Sequence, residues 1–177
     1  MRKLLILLPF LIVPVSAWSQ ETPRFEVFGG YSGMLANANA TNFYLNGVNV
    51  SAQENLNSWF GGVLDFSTHF GTENGLKTNT QLVSYGPVFS YRKNKSIVPF
   101  AHVMVGMERG GTNYLNISQP EERLAVLAGG GLDIKVRPNI ALRIAQVDYV
   151  YSTFSSTRQD NLRFSAGVVF YLGKKKK

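Results

Sequence analysis

Along most of this chain apolar and polar residues take turns. The stretch 161–172 shows it most plainly. Leu162, Phe164, Ala166, Val168, Phe170 and Leu172 fall on one parity, and Arg163, Ser165, Gly167, Val169 and Tyr171 on the other. A period of two belongs to an extended strand, whose successive side chains point to opposite faces. Seven earlier stretches keep the same rhythm, at 24–35, 43–53, 59–70, 80–92, 97–109, 122–136 and 140–153. Away from the segment ends, the charged residues of a segment share one parity and the other row is nearly free of charge. Leu64, Phe66 and Phe70 oppose Asp65, Ser67 and His69; Val103, Val105 and Met107 oppose His102, Met104, Gly106 and Glu108. Eight such segments of about ten residues are the length and rhythm of strands that cross a bilayer at a tilt.

One segment breaks its own rule. Ile140, Leu142 and Ile144 set one parity, with Arg143 opposite; Val147, Tyr149 and Tyr151 then set the other, with Gln146 and Asp148 opposite. One extra residue repairs this, which predicts a β-bulge near Ala145.

The connections alternate in length. Those at 54–58, 93–96 and 137–139 are short; those at 36–42, 71–79, 110–121 and 154–160 are longer and rich in Gly, Asn, Ser and Thr. Short turns on one rim and long loops on the other suit a barrel set in an outer membrane, with both termini on the short-turn rim. Aromatics near the segment ends (Tyr44, Trp59, Phe70, Tyr91, Tyr151, Phe170) suit interfacial girdles. The fold class that follows is all-β: an eight-stranded antiparallel up-and-down transmembrane β-barrel. Two interleaved rows do not by themselves exclude a soluble barrel, in which the apolar row would point inward.

The N-terminus differs from everything after it. Arg2 and Lys3 precede an apolar run from Leu4 to Val15, followed by small residues at Val15-Ser16-Ala17. That is a secretory signal peptide rather than a spanning helix, being too short to cross. Residues 1–19 are therefore expected to be removed, leaving one barrel domain at 20–177. The formal charge of +7 includes Arg2, Lys3 and the four lysines at 174–177, so the barrel itself carries about +1. Basic residues are scattered rather than clustered with aromatics, which excludes a nucleic-acid reading. With no cysteine and two histidines, His69 and His102, neither a disulfide framework nor a metal site is expected.

Several stretches resemble one family, the small bacterial outer-membrane β-barrel domains similar to the transmembrane domain of outer membrane protein A. They are Arg24-Phe-Glu-Val-Phe-Gly-Gly-Tyr-Ser32, Asn46-Gly-Val-Asn-Val-Ser51, Asn55-Leu-Asn-Ser-Trp59, Asp65-Phe-Ser67, Gly86-Pro87, Pro99-Phe-Ala-His102, Gly129-Gly-Gly-Leu-Asp133 and Asp148-Tyr149. Ser165-x-Gly167-x-x-Phe170-x-Leu172 looks like the closing signal of such barrels. The resemblance covers about 24–173. It implies a bacterial outer-membrane location, outer-membrane lipid as surroundings and the barrel-assembly machinery as a partner of the last strand. Where the family carries a basic residue soon after Gly-Pro, this chain has Val88, which predicts one lumenal ion pair fewer.

An eight-stranded barrel is just wide enough for side chains to fill it. The polar parity assigns Glu26, Asp65, Asp133 and Asp148 to the lumen with Arg92, Lys135, Arg143 and Arg163, and charges so confined must pair. A three-residue turn at 137–139 would put Asp133 directly across from Arg143. Asp65, Ser67 and His69 share a face but stand about 7 Å apart per step, too far for a hydrolase triad. Gly129-Gly-Gly131 lies inside a strand with no helix after it, so it is not a phosphate loop. No catalytic residue, cofactor or metal is expected. The function read from the sequence is non-enzymatic: a monomeric outer-membrane barrel with a structural or loop-mediated binding role. The alternatives are a narrow pore for small solutes or ions, and a soluble periplasmic lipocalin-like barrel.

Overall fold

The computed structural model describes residues 22–38, 41–73, 76–94, 96–114, 117–118, 121–154 and 157–174. The expected signal peptide and Lys175 to Lys177 lie outside them. Nine strands result: β1 (Pro23–Ala38), β2 (Thr41–Asn55), β3 (Phe60–Glu73), β4 (Leu76–Ser90), β5 (Ile97–Tyr114), β6 (Ile117–Ser118), β7 (Glu121–Arg137), β8 (Ile140–Phe154) and β9 (Thr157–Lys174). Eight of them make the wall. The two-residue β6 only extends the outer hairpin, pairing with Asn113 and Tyr114 of β5.

Each wall strand pairs antiparallel with the next, and β1 pairs with β9, so the sheet closes on itself. Closure removes every free edge, which satisfies the backbone without water. The register also fixes the tilt. Leu35 pairs Leu162, then Tyr149, Ala128 and Val103 follow around the wall. Val103 stands opposite Pro87, between the bonded pairs Tyr85–Val105 and Val88–His102. Pro87 pairs Gly62, then Glu54, then Phe25. The circuit that left β1 at Leu35 re-enters it at Phe25, ten residues lower, which for eight strands means a tilt of about 40°.

The two rows part as the alternation predicts. Leu64 (52%), Phe66 (43%) and Val103 (52%) keep large fractions of their surface exposed on the outer wall, while Asp65 (2%) and Asp133 (1%) are buried inside. That is the reverse of a lipocalin-like barrel, and so continuous an apolar exterior is incompatible with a water-facing surface. Aromatics ring both ends. Trp59 stacks on Phe89 at 6.0 Å and tilts against Phe60 at 5.6 Å on the short-turn rim. At the other end Tyr31 hydroxyl donates to Asn46 Oδ1 (2.6 Å) and lies 2.8 Å from the Tyr44 hydroxyl. The Tyr44 ring lies over Gly33, where a Cβ would come within 1.9 Å of its hydroxyl. Of the expected girdle, Tyr44, Trp59, Phe70, Tyr91 and Phe170 are exposed and Tyr151 is half-buried.

The short turns have local causes. Asn57 Oδ1 accepts from the backbone N–H groups of Trp59 and Phe60, and Asn94 Oδ1 from those of Ser96 and Ile97, side chains standing in for backbone in tight turns.

Three expectations need correction. The long connections are largely hairpin: the β1–β2 ladder continues to Ala38–Thr41 and the β3–β4 ladder to Glu73–Leu76. Gly, Asn and Thr read there as loop, but a closed ladder carries pairing past the apolar band. Asp133 does face Arg143, but not through a three-residue turn. A register shift between Lys135 and Arg137 adds a second bulge, and a two-residue turn at 138–139 follows. The bulge near Ala145 is present, with register shifts on both flanks and Ile144 and Ala145 both facing out. Finally, the inward rows are less polar than the parity rule implies. Val63, Leu82, Val88, Phe100, Met104, Ala125, Leu127 and Val150 form a buried cluster inside the barrel.

Candidate functional site

Among the described residues the lumen collects the buried charges. At the short-turn end Glu26 of β1 accepts from Arg92 Nη2 at 2.5 Å and from Asn55 Nδ2 at 2.8 Å. Arg92 follows the end of β4, so this pair reaches across the barrel mouth. Its other nitrogen donates to Ser58 O at 2.9 Å, tying the first turn into the same closure. Asn55 Oδ1 accepts from Arg92 Nη2 and from Gln53 Nε2, so the cluster is shared by β1, β2 and the segment after β4.

The second cluster begins with the Asp133–Arg143 pair, directly opposed on β7 and β8. Arg143 Nε and Nη2 donate to the two carboxylate oxygens at 2.8 and 3.0 Å, a fork on a fork. Its guanidinium lies between the rings of Phe100 (4.1 Å) and Phe28 (4.6 Å). Arg143 Nη1 donates to Gln146 Oε1, and Gln146 Nε2 donates to Asp148 Oδ2, both at 2.8 Å. The bulge makes this relay possible, because it lets Arg143 and Gln146, three residues apart, both point inward.

Asp148 is the junction. Its Oδ2 accepts from Arg163 Nε (2.9 Å) and Nη2 (2.7 Å), and its Oδ1 lies 2.7 Å from His102 Nε2. Arg163 Nη1 then donates to Asp65 Oδ1 at 2.7 Å and Ser67 Oγ at 2.9 Å, and Asn49 Nδ2 donates to Asp65 Oδ2 at 2.9 Å. One hydrogen-bonded belt therefore runs from β7 through β8 and β9 to β3 and β2. Arg163 is fully buried in it.

Glycines make room for this belt. His102, Gly129 and Asp148 are in register on β5, β7 and β8, so the His102–Asp148 contact passes over Gly129. A Cβ there would sit 2.1 Å from Asp148 Oδ1. At Gly131 a Cβ would meet the backbone oxygen of Ala145 at 2.4 Å and Phe100 Cζ at 2.7 Å, crowding both β8 and the ring that covers Arg143. Gly129 and Gly131 thus give neighbouring inward side chains the space to lie flat across β7.

Of the eight charges assigned from parity, seven stand in these two clusters. Lys135 is set apart: it is half-buried, with Nζ 5.7 Å from the Tyr171 ring centroid and no ion pair among the described residues. Val88 leaves no stranded partner, because it sits in the apolar cluster and the four carboxylates find other donors. Sequence reasoning did not bring His102, Gln146, Asn49 and Asn55 into the network. His102, Gln146 and Asn49 have inward parity, so counting polar as well as charged residues on that row finds them; Asn55 falls in the stretch 54–58 read as a connection, which has no parity to count. Glu108 and Arg123 also oppose each other on the inner face of β5 and β7.

His69 Nε2 contacts Ser32 Oγ at 2.9 Å rather than Ser67, and Ser32 Oγ contacts Ser165 Oγ at 3.0 Å. Both His69 and Ser32 are wholly buried, and His69 Nδ1 has no partner to orient the ring. No group of three or more potential metal ligands occurs among the described residues.

The belt and the apolar cluster together fill the cross-section. Phe28, Ala141, Val169 and Tyr171 pack below, and Met34, Ala36 and Leu45 above. Among the described residues the lumen thus holds paired charges and hydrocarbon, with a few buried polar atoms, Glu108 Oε2 and His69 Nδ1 among them, left without a hydrogen-bond partner.

A comparison with curated protein sequences returns no match. Among solved structures the chain is similar to Neisserial surface protein A, at 14% identity, covering 84% of this chain and 97% of that one with a TM-score of 0.74. It is similar to the N-terminal β-barrel domain of Pseudomonas aeruginosa OprF, at 14% identity, 85% and 98% coverage and a TM-score of 0.60. The attachment invasion locus protein of Yersinia pestis, solved with the heparin analogue sucrose octasulfate, is similar at 17% identity, 84% and 99% coverage and a TM-score of 0.58. The model of the outer membrane protein beta-barrel domain matches residues 5–170. With the closed wall, the apolar exterior and the paired lumen in place, this match assigns the chain to the outer membrane protein β-barrel family.

Proposed function

We propose that the protein is a monomeric, non-enzymatic component of the bacterial outer membrane: a sealed barrel that supports the envelope and presents its outer hairpins for binding or attachment. The observation that carries this is the belt of paired charges that crosses the lumen beside an apolar cluster. Arg163 holds two carboxylates from opposite walls, and the apolar cluster of Leu82, Phe100, Met104 and Leu127 occupies the space beside it. An ion entering would have to break paired charges or cross a dry constriction, and both oppose conduction. Burial of Ser32 and His69 likewise keeps the nearest nucleophile and base away from any substrate.

The reading includes secretion by the leader at 1–19, and insertion by the barrel-assembly machinery acting on β9, whose Phe170 and Leu172 face outward. The hairpins past the apolar band, at the β1–β2, β3–β4, β5–β7 and β8–β9 connections, are the surface open to partners. Single-channel recording in planar bilayers tests the reading. No conductance steps are expected; regular steps from the folded protein would replace it with the narrow-pore alternative. Sucrose octasulfate serves as a first soluble probe of the outer hairpins, since the Yersinia pestis neighbour was solved with it.

A further inference from the structure

A groove of about 420 Å³ lies on the outer wall between β3, β4 and β5. Its floor and sides are Leu64, Phe66, Val83, Tyr85, Val105 and Met107. The polar groups lining it on the outer wall lie at one end. Gln81, Arg109 and Glu122 line that end and stand side by side in register on β4, β5 and β7, all facing outward and exposed. Directly inward of them come Val83, Met107 and Leu124, so the row marks where the apolar band stops. Arg109 and Glu122 face each other, yet neither is in an ion pair among the described residues. Lys77, four residues further out on the same face of β4, adds a second exposed cation.

We infer that this groove is a binding site for one phosphorylated glycolipid of the outer leaflet, with an acyl chain in the groove and the headgroup on the Gln81–Arg109–Glu122 row. The inference rests on the membrane location proposed above. In a bilayer a groove on this face is filled by hydrocarbon, because neither water nor vacuum is stable there. Its volume is within the range of small-molecule pockets. Arg109 and Lys77 supply the charge a phosphate needs, and Arg109 the planar fork that suits it. Gln81 and Glu122 are donor and acceptor partners for sugar hydroxyls. A headgroup of phosphate alone would leave Glu122 opposed to like charge, which favours a sugar over a simple phosphodiester.

The test is native mass spectrometry of the folded protein in a neutral detergent, with lipid A, phosphatidylglycerol or no added lipid. The wild type is expected to retain one lipid A and little phosphatidylglycerol. Arg109→Gln should retain about tenfold less, the loss of one charge-assisted contact. Val105→Phe, which fills the groove while leaving the headgroup row intact, should also lose retention. Equal retention by the wild type and both variants overturns the site, and equal retention of phosphatidylglycerol overturns the glycolipid assignment. Failure of the membrane reading is recognised separately, by a wild type that does not insert into lipid vesicles at all.

Discussion

Replacing Arg163 with methionine tests the lumenal belt most directly. The side chain is fully buried and makes four donor contacts, two to Asp148 and one each to Asp65 and Ser67, at 2.7 to 2.9 Å. Methionine fills similar space but leaves two carboxylates in the barrel without their cation. Asp148 keeps His102 and Gln146, and Asp65 keeps Asn49, so the loss is partial on each side. Removing one partner of a buried ion pair costs about 3–5 kcal/mol. With a urea m-value of about 2 kcal/mol/M, that lowers the unfolding midpoint by about 2 M. The assay is urea unfolding in lipid vesicles, followed by tryptophan fluorescence and by heat-modifiable migration on gels. The triple variant Arg163→Met, Asp65→Asn, Asp148→Asn should recover much of the loss, because it removes the stranded charges as well. A single variant within about 0.5 kcal/mol of the wild type would refute the belt as a stabilising network, since such a difference is that of an ordinary surface change. A triple variant no better than the single one would refute the reason given for the cost.

The same assay checks the other features. Val103→Arg, on the outer wall in the apolar band, should cost about 2–4 kcal/mol, whereas Gln81→Arg at the polar row should cost at most about 1. Gly131→Ala should crowd the Ala145 carbonyl and the Phe100 ring over Arg143 and destabilise the barrel by about 1–3 kcal/mol, the range for overpacking; Gly110→Ala, where a Cβ meets nothing closer than 3.9 Å, is the neutral control. Deleting Ala145 should leave a folded barrel, because it turns the bulge into regular alternation with Arg143, Gln146 and Asp148 still inward. Inserting an alanine after Val147 should prevent folding, because it turns Asp148 and Val150 to the wrong faces.

Strand count, closure, facing and the bulge could be read from the chain because each leaves a mark of period two. The bulge was legible because Arg143 and Asp148 are an odd number of residues apart, yet both must avoid lipid. The apolar part of the lumen was not legible in the same way. Val88, Phe100 and Leu127 have inward parity, but an apolar residue between two apolar neighbours carries no contrast, and the parity rule passes over it. The Asp133–Arg143 pairing could be read because one short turn joins their strands. The Arg163–Asp65 contact could not, because it depends on closure between residues 98 positions apart. The long connections depart from what their composition suggests for a third reason. Turn-type composition marks a place where the chain can bend, and in a closed barrel the ladder itself carries pairing beyond the band that composition reports.

The distribution of lumenal contents bears on what any single substitution can do. An eight-stranded wall leaves room only for side chains, so inward positions must be filled, and a filled position is tolerated if it is apolar or fully paired. This chain interleaves both solutions. Glu26, Asn49, Asp65, Asp148 and Arg163 project from β1, β2, β3, β8 and β9, while Leu82, Met104 and Leu127 project from β4, β5 and β7 beside His102 and Asp133. Breaking one ion pair therefore removes stability without removing the apolar half of the seal. Cutting back the apolar half leaves the belt of Arg143, Gln146, Asp148 and Arg163 across the axis. Conductance is then expected only when both are breached, for instance by Arg163→Ala combined with Phe100→Ala and Leu127→Ala. Stability and sealing are thus separable properties of this lumen: the first follows each pair, and the second follows the combination.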